Sequence, residues 1–343
     1  MSFLNPEVTY HDDNIRNKIP SKLLDFLRSL NGLTVIDIKG KDTSRTRVVT
    51  TLIHGNEPSG LIACHLWLSG NSENWMLPAT NIRIIICNPE AAKSKPFFTN
   101  RYVQHSDDLN RFFATKNSNR LVALRAQNIM RLVKDVSPEA IVDLHNTSGI
   151  SPAFCVSIND DLDHRQLVEL FTSRLILTQI NVGAVMEQNF NCPIVTIECG
   201  GANENSSHQI ASNGLLAFFS KESLFSTSDA DVQVLKNPLR IELCDDASVG
   251  FSNHRLTTTD ITLRADIEEL NQGLTPCGEF IGWCEADIPL QVEAIDTNGI
   301  NQIDTLFEKR AGRLFTKKEM QLFMVTTVPE IATKDCLFYT TLR

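Results

Sequence analysis

Between residues 33 and 224, short β-branched runs alternate with segments of helical periodicity, and near residue 226 that alternation stops. Leu33–Ile38, Val48–Ile53, Ile82–Cys87, Ile141–Leu144, Phe154–Ser157 and Ile194–Ile197 read as strands. Helices are expected from a Ser21 cap through Leu30, over Gly60–Leu68, from Leu121 to Val133, from Asp161 through Leu175, and over Ser207–Leu224. Strands alternating with helices imply an α/β sheet covered on both faces. After the polar stretch STSDAD the runs shorten to Leu239–Leu243, Ile261–Leu263, Phe280–Trp283 and Leu290–Ala294, separated by Gly, Pro, Asn and Asp. The expectation is a first domain over residues 1–228 and a smaller β-rich domain over 229–343. FEKRAGRLFTKKEM, residues 307–320, reads as a short basic helix or a loop.

The chemistry-bearing residues cluster where these runs end. VVTTLIHGNEPSG carries His54 and Glu57 just past a strand, and AIVDLHNTSG carries His145 at the end of another. Two imidazoles and one carboxylate suit a catalytic zinc ion with its fourth position left for water, whereas a structural zinc takes four protein ligands. HxxE alone arises by chance in many sequences, so the weight lies on its strand-to-helix position and on the second motif. Strand alternation sets Asp143 and His145 on one face, so Asp143 can orient a metal-bound imidazole. His65 lies about two helical turns past Glu57 and reads as a packed residue. Glu198, in PIVTIECGG, puts a carboxylate at a strand tip, where a base for water activation would be needed. TNRYVQHSDDLNRFF, within a long polar segment, supplies Arg101, Asn110 and Arg111, a set suited to an anionic substrate.

These motifs resemble those of the succinylglutamate desuccinylase and aspartoacylase group of zinc amidohydrolases, a branch of the zinc carboxypeptidase fold. HGNEPSG, DLNRFF, DLHNTSG and VTIECGG occur in the family's order across residues 48–201. The resemblance implies a zinc carboxypeptidase-like mixed sheet with flanking helices, and one zinc ion on His54, Glu57 and His145. It implies that Glu198 activates the water and then protonates the leaving amine. Arg101 would polarise the scissile carbonyl, with Asn110 and Arg111 on the amino acid's α-carboxylate. One position departs: members acting on acidic amino acids resemble each other in an arginine about ten residues before the catalytic glutamate, where this chain has Gln188. The expected substrate is therefore a small anionic N-acyl compound, with N-acetylaspartate and N-succinylglutamate poorly used. A tyrosine that lines the pocket in some relatives has no evident counterpart among Tyr10, Tyr102 and Tyr339.

A zinc carboxypeptidase acting on peptides and a non-catalytic metal-containing binding protein are the competing readings. The β-rich second domain favours a deacylase, since it could narrow access, and the presence of Glu198 disfavours loss of catalysis. No GxSxG or GxxxxGK[ST] stretch is found. The net charge of −9 argues against nucleic acid, and no apolar run nears the roughly 18 residues that span a bilayer. Nine scattered cysteines and a polar opening segment are expected of a cytoplasmic protein with reduced thiols.

Overall fold

The computed structural model describes residue 4 and residues 7–70, 76–334 and 336–342. The chain forms two compact units. The first takes residues up to Asn146, Ala153–Leu177 and Asn181–Val234, and the second takes Thr147–Pro152, Thr178–Ile180 and the chain from Leu235 onward.

In chain order the first unit runs β1 (Val8–His11), α1 (Leu23–Ser29), β2 (Leu33–Ile38), β3 (Asp42–Thr51), α2 (Ser59–Leu68), β4 (Thr80–Ile86) and α3 (Pro89–Lys93). It continues with α4 (Leu121–Lys134), β5 (Ala140–Thr147), β6 (Phe154–Ser157), α5 (Leu162–Glu169), β7 (Arg174–Leu177), β8 (Ile194–Gly201), α6 (Asn205–Ser220) and β9 (Gln233–Lys236), the last residue of β5 and the last two of β9 being assigned to the second unit. The nine strands make one mixed sheet in the order β1-β2-β4-β3-β5-β8-β6-β7-β9. β4, β3 and β5 run parallel at its centre, while β2 opposes β4 and β6 opposes β8.

Alternation along the central strands divides the core into two layers. Ile36, Val49, Ile84 and Val142 join Leu27, Leu61, Leu167 and Phe218 from α1, α2, α5 and α6. Their neighbours Val35, Val48, Ile85 and Ile141 join Val122, Ile129 and Leu132 from α4. Because successive strand residues face opposite ways, both faces of the sheet are apolar and both are covered.

The second unit holds β10 (Leu239–Leu243), β11 (Val249–Ser252), β12 (Ile261–Arg264), β13 (Leu274–Thr275), β14 (Phe280–Cys284), β15 (Val292–Glu293), α7 (Ile303–Leu306), β16 (Phe307–Arg310), β17 (Arg313–Thr316), β18 (Met320–Phe323), α8 (Pro329–Lys334) and β19 (Phe338–Leu342). Two five-stranded sheets, β13-β18-β19-β10-β15 and β11-β12-β14-β17-β16, share a core that includes Ile241, Ile281, Leu314, Leu322 and Phe338.

Four local expectations are corrected. Residues 307–316 are a hairpin, β16–β17, rather than a helix or loop. Its two-residue turn is Ala311-Gly312, with φ of 48° and 73°, the left-handed pair that matches strand twist. The helix expected to reach Leu175 stops at Glu169, and Leu175 pairs with Cys155 in a parallel strand. The first helix begins from Lys22 without a side-chain cap, so Ser21 does not serve as one. The long segment to Phe113 is not wholly irregular: Asn88 caps α3, and Leu109–Arg111 make one turn of 3-10 helix.

Gly60 shows how closely α2 rests on the sheet beneath it. A Cβ there would lie 2.3 Å from Thr51 Oγ1 and 2.8 Å from Leu144 Cβ, both on rigid strands. Gly60→Ala is expected to cost about 1–3 kcal/mol through overpacking, despite its better helix propensity. Urea unfolding of the two proteins side by side measures this, and an unchanged or raised midpoint would refute so close a contact.

Candidate active site

The parallel pairing of β3 with β5 carries two of the key segments to the same edge of the sheet. The register sets Thr50 beside Asp143 and Thr51 beside Leu144. Past Thr51 the chain turns through Leu52, which is buried with a φ of 52°, and reaches His54. β5 delivers His145 directly, and Glu57 arrives just before α2 begins.

His54, Glu57 and His145 converge, all buried, with one ligand atom from each lying within 4.8 Å of the others. His54 Nδ1 is 2.8 Å from Glu57 Oε1, and His145 Nδ1 is 2.7 Å from Glu57 Oε2. The outer nitrogens are anchored elsewhere: His145 Nε2 lies 2.8 Å from Asp143 Oδ2, and His54 Nε2 lies 2.9 Å from Asp108 Oδ1. An imidazole whose Nε2–H is held by a carboxylate presents its Nδ1 lone pair inward, the orientation that metal-binding histidines use.

The electrostatics say the same. Burial alone would raise the Glu57 carboxyl, but the charges of His54 and His145 and their hydrogen bonds outweigh it and hold it well below the usual range. Burial would lower His145, yet Asp143 and Glu57 override that and push it well above the usual imidazole value. In other words, the buried carboxylates Asp143 and Glu57 draw positive charge onto His145. One cation bound between the inner nitrogens and Glu57 would meet the same demand, so this donor set fits a single metal ion.

Arg101 and Asp108 complete one side of the group. Arg101 Nε donates to Asp108 Oδ2 at 3.1 Å and Nη1 donates to Glu57 Oε1 at 3.3 Å. Burial would raise Asp108, but His54, Arg101 and Arg111 together hold it well below the carboxylate range. Glu198 sits within β8, which continues through Gly201 rather than ending at Ile197 as expected, and lies opposite Phe154 in the neighbouring strand. Its Oε2 is buried without a hydrogen-bond partner. Burial raises its pKa to about 7, with the charges of His145, Glu57, His54 and Arg101 adding smaller and partly opposing effects.

The family model of the succinylglutamate desuccinylase/aspartoacylase catalytic domain matches residues 44–221, more than half of the chain. The chain belongs to this family. A search of curated protein sequences finds no match. Among solved structures, the succinylglutamate desuccinylase of Vibrio parahaemolyticus is 14% identical with a TM-score of 0.59, covering 94% of this chain and 95% of that one. A succinylglutamate desuccinylase/aspartoacylase from Rhodobacter sphaeroides is 14% identical with a TM-score of 0.54, covering 86% of this chain and 84% of that one. The Chromobacterium violaceum succinylglutamate desuccinylase is 12% identical with a TM-score of 0.53, covering 88% and 86%. These likenesses establish the fold, a mixed α/β sheet with flanking helices and further β-sheets toward the C-terminus. Family membership makes the chain a hydrolase of the deacylase type.

In this desuccinylase/aspartoacylase-family chain, Asn110 and Gln188 lie on two segments that are laced together. Asn110 Oδ1 accepts from Val185 N at 3.3 Å, and Phe113 N donates to Gly183 O at 3.0 Å. Gly183 has a φ of 85°, and a Cβ there would lie 2.6 Å from Arg111 O, so only glycine fits. Gln188 ends a short 3-10 turn and donates its side-chain amide back to Ala184 O at 3.2 Å. Glu187 accepts from the backbone N–H groups of Val182 and Gly183 at 2.9 and 2.8 Å, so its charge is turned onto its own loop. Arg111 donates to Asn110 O at 3.3 Å.

Two features escaped the sequence reading. Asp108 stands inside DLNRFF but its partner is His54, a contact across 54 residues. Its Oδ1 also accepts Asn110 N at 2.8 Å, which gave a local reason to single it out. Asn146 joins Ser59, Gly200 and Glu57, although nothing in its spacing marks it. His65, in contrast, is packed as expected, stacked on Phe26 with Nε2 2.8 Å from Pro20 O.

Asp108→Asn removes the charge that anchors His54 Nε2–H. It should weaken divalent-metal binding by roughly 10- to 100-fold, as loss of an outer carboxylate commonly does. Titration against a chromophoric chelator reads this directly, and unaltered affinity would mean that Asp108 does not orient His54.

Proposed function

We propose that the chain hydrolyses the amide bond of a small anionic N-acyl amino acid or related amide, with one zinc ion held by His54, Glu57 and His145. The observation that carries the proposal is Glu198. Its buried, unpartnered oxygen feels the charges of both imidazoles, Glu57 and Arg101, so a carboxylate is available where a base is required. Bound zinc supplies a Lewis acid that polarises a carbonyl and lowers the pKa of water.

The chain's own residues do the rest. Glu198 takes a proton from the attacking water and returns it to the leaving amine. A carboxyl raised to about 7 can do both near neutral pH, since neither protonation state is strongly favoured. Arg101, tethered to Asp108 and Glu57, holds the scissile carbonyl oxygen and the negative charge that develops on it. Asn110 and Arg111 hold the carboxylate of the amine half, with Arg111 suited to a two-point grip. Gln188 selects against a second carboxylate, because a neutral amide bonded to its own turn offers no charge to balance one. Catalysis is assigned to a domain over residues 1–228, followed by a β-rich domain over 229–343. Among the described residues no helix is long and apolar enough to cross a membrane. Cys64, Cys87, Cys155 and Cys199 are buried free thiols, which supports a cytoplasmic location.

Amine release by zinc-loaded protein across a panel of N-acyl amino acids tests the reaction. Turnover should favour neutral side chains over N-acetylaspartate and N-succinylglutamate, cease with a chelator and return with zinc. No turnover of any member would defeat the proposal. Glu198→Gln should lower kcat by about 10²- to 10⁴-fold while metal content is unchanged. A near-normal rate would remove Glu198 from its assigned role. Gln188→Arg should shift preference toward acidic side chains by about tenfold or more, since an arginine–carboxylate pair adds a strong charge-assisted bond. An unmoved ratio of kcat/KM values would place the selector elsewhere.

A further inference from the structure

We propose that His208, on α6, is a positioning residue for the metal-binding group, acting through Ser59 and Asn146. The inference rests on the reading that His54, Glu57 and His145 hold a metal.

Ser59 is fully buried at the start of α2, and its Oγ lies 2.8 Å from His208 Nδ1. Asn146 follows His145 directly and spends both ends of its side chain on these neighbours. Its Oδ1 accepts Ser59 N at 3.0 Å, while its Nδ2 donates to Ser59 Oγ at 2.8 Å and to Gly200 O at 2.9 Å. Its backbone N–H donates to Glu57 Oε2 over a longer 3.4 Å. Asn146 therefore ties the start of α2 and the end of β8 through its side chain, and a metal-facing carboxylate through its backbone N–H.

A count of protons sets the role of His208. A serine hydroxyl carries one hydrogen and two lone pairs. Asn146 Nδ2 occupies one lone pair. If His208 presented Nδ1–H, it would occupy the second, and the buried Ser59 hydrogen would lack an acceptor. If His208 Nδ1 is bare, Ser59 donates to it and every group is satisfied. His208 is thus the neutral Nε2–H tautomer, and burial lowers its pKa, which favours the neutral ring. Removing that acceptor leaves the Ser59 hydrogen unpaired in a site with no exposure, which is costly because the buried donor no longer has water or protein to bond. The hydroxyl must then rotate, and the Asn146 Nδ2–H that it accepts loses its acceptor, so that Asn146 is held only by its bonds to Ser59 N and Gly200 O.

The test uses the full chain and zinc alone. In the metal-free protein, ¹⁵N NMR of the imidazole should report His208 Nδ1 as unprotonated, and an Nδ1–H signature would overturn the proposal. Chelator competition should show His208→Leu weakening zinc by roughly 3- to 10-fold, less than a carboxylate in direct contact with a ligand imidazole. His208→Asn, whose Oδ1 falls near the Nδ1 position, should restore most of the affinity. Ser59→Ala should weaken zinc similarly, and adding His208→Leu to it should bring no further loss, because the two act as one unit. Unfolding of each metal-free variant separates these effects from a general folding defect. Wild-type affinity in His208→Leu, or additive losses in the double variant, would overturn the proposal while leaving the metal reading intact. No zinc binding by the unsubstituted chain would overturn both.

Discussion

Glu57 bridges two imidazoles, and the rest of the site is arranged around that buried anion. Each of its oxygens meets one ring nitrogen, at 2.8 and 2.7 Å. A carboxylate enclosed so completely is stable only with positive charge in contact with it. Asp108 and Asp143 reinforce the demand by holding the far sides of the same two rings. Four acidic and two imidazole side chains, counting Glu198, therefore share one small volume, with Arg101 as the cation at its margin.

Much of this was legible before any coordinates. His54 with Glu57, and Asp143 with His145, lie close together in sequence, so strand and turn periodicity alone foretells that their side chains meet. Glu198 is readable because it continues the β-branched run Ile194–Ile197, although β8 runs on through Gly201, past the end that the glycines suggested. The fold class follows from the same alternation, since buried parallel strands need helices on both faces and the spacing provides them.

What was not legible depends on long-range pairing. The Asp108–His54 contact spans 54 residues and has no local signature. The fate of Leu175 was undecided by spacing, because it satisfies a helical pattern equally well and only pairing with β6 assigns it. The 307–316 hairpin was missed because its turn is Ala-Gly, where asparagine or aspartate before the glycine would have announced the positive φ values. The two units cannot be read as a single cut, because Thr147–Pro152 and Thr178–Ile180 leave the first and belong to the second.

The hydrogen bond from Thr50 Oγ1 to Asp143 Oδ1, at 2.6 Å, has a consequence for how the chain finds its native state. Side chains alternate along β5, so a one-residue slip against β3 would exchange His145 for Leu144 and point both carboxylate and imidazole into the opposite apolar layer. Apolar matching would oppose such a slip only weakly, because both layers are lined with valine, leucine and isoleucine. The buried threonine–aspartate pair opposes it strongly, since a misaligned Asp143 would lose its donors inside the core. Polar groups at the centre of this sheet thus act as an alignment key: the residues that serve the site also decide which of two nearly equivalent strand pairings the chain adopts.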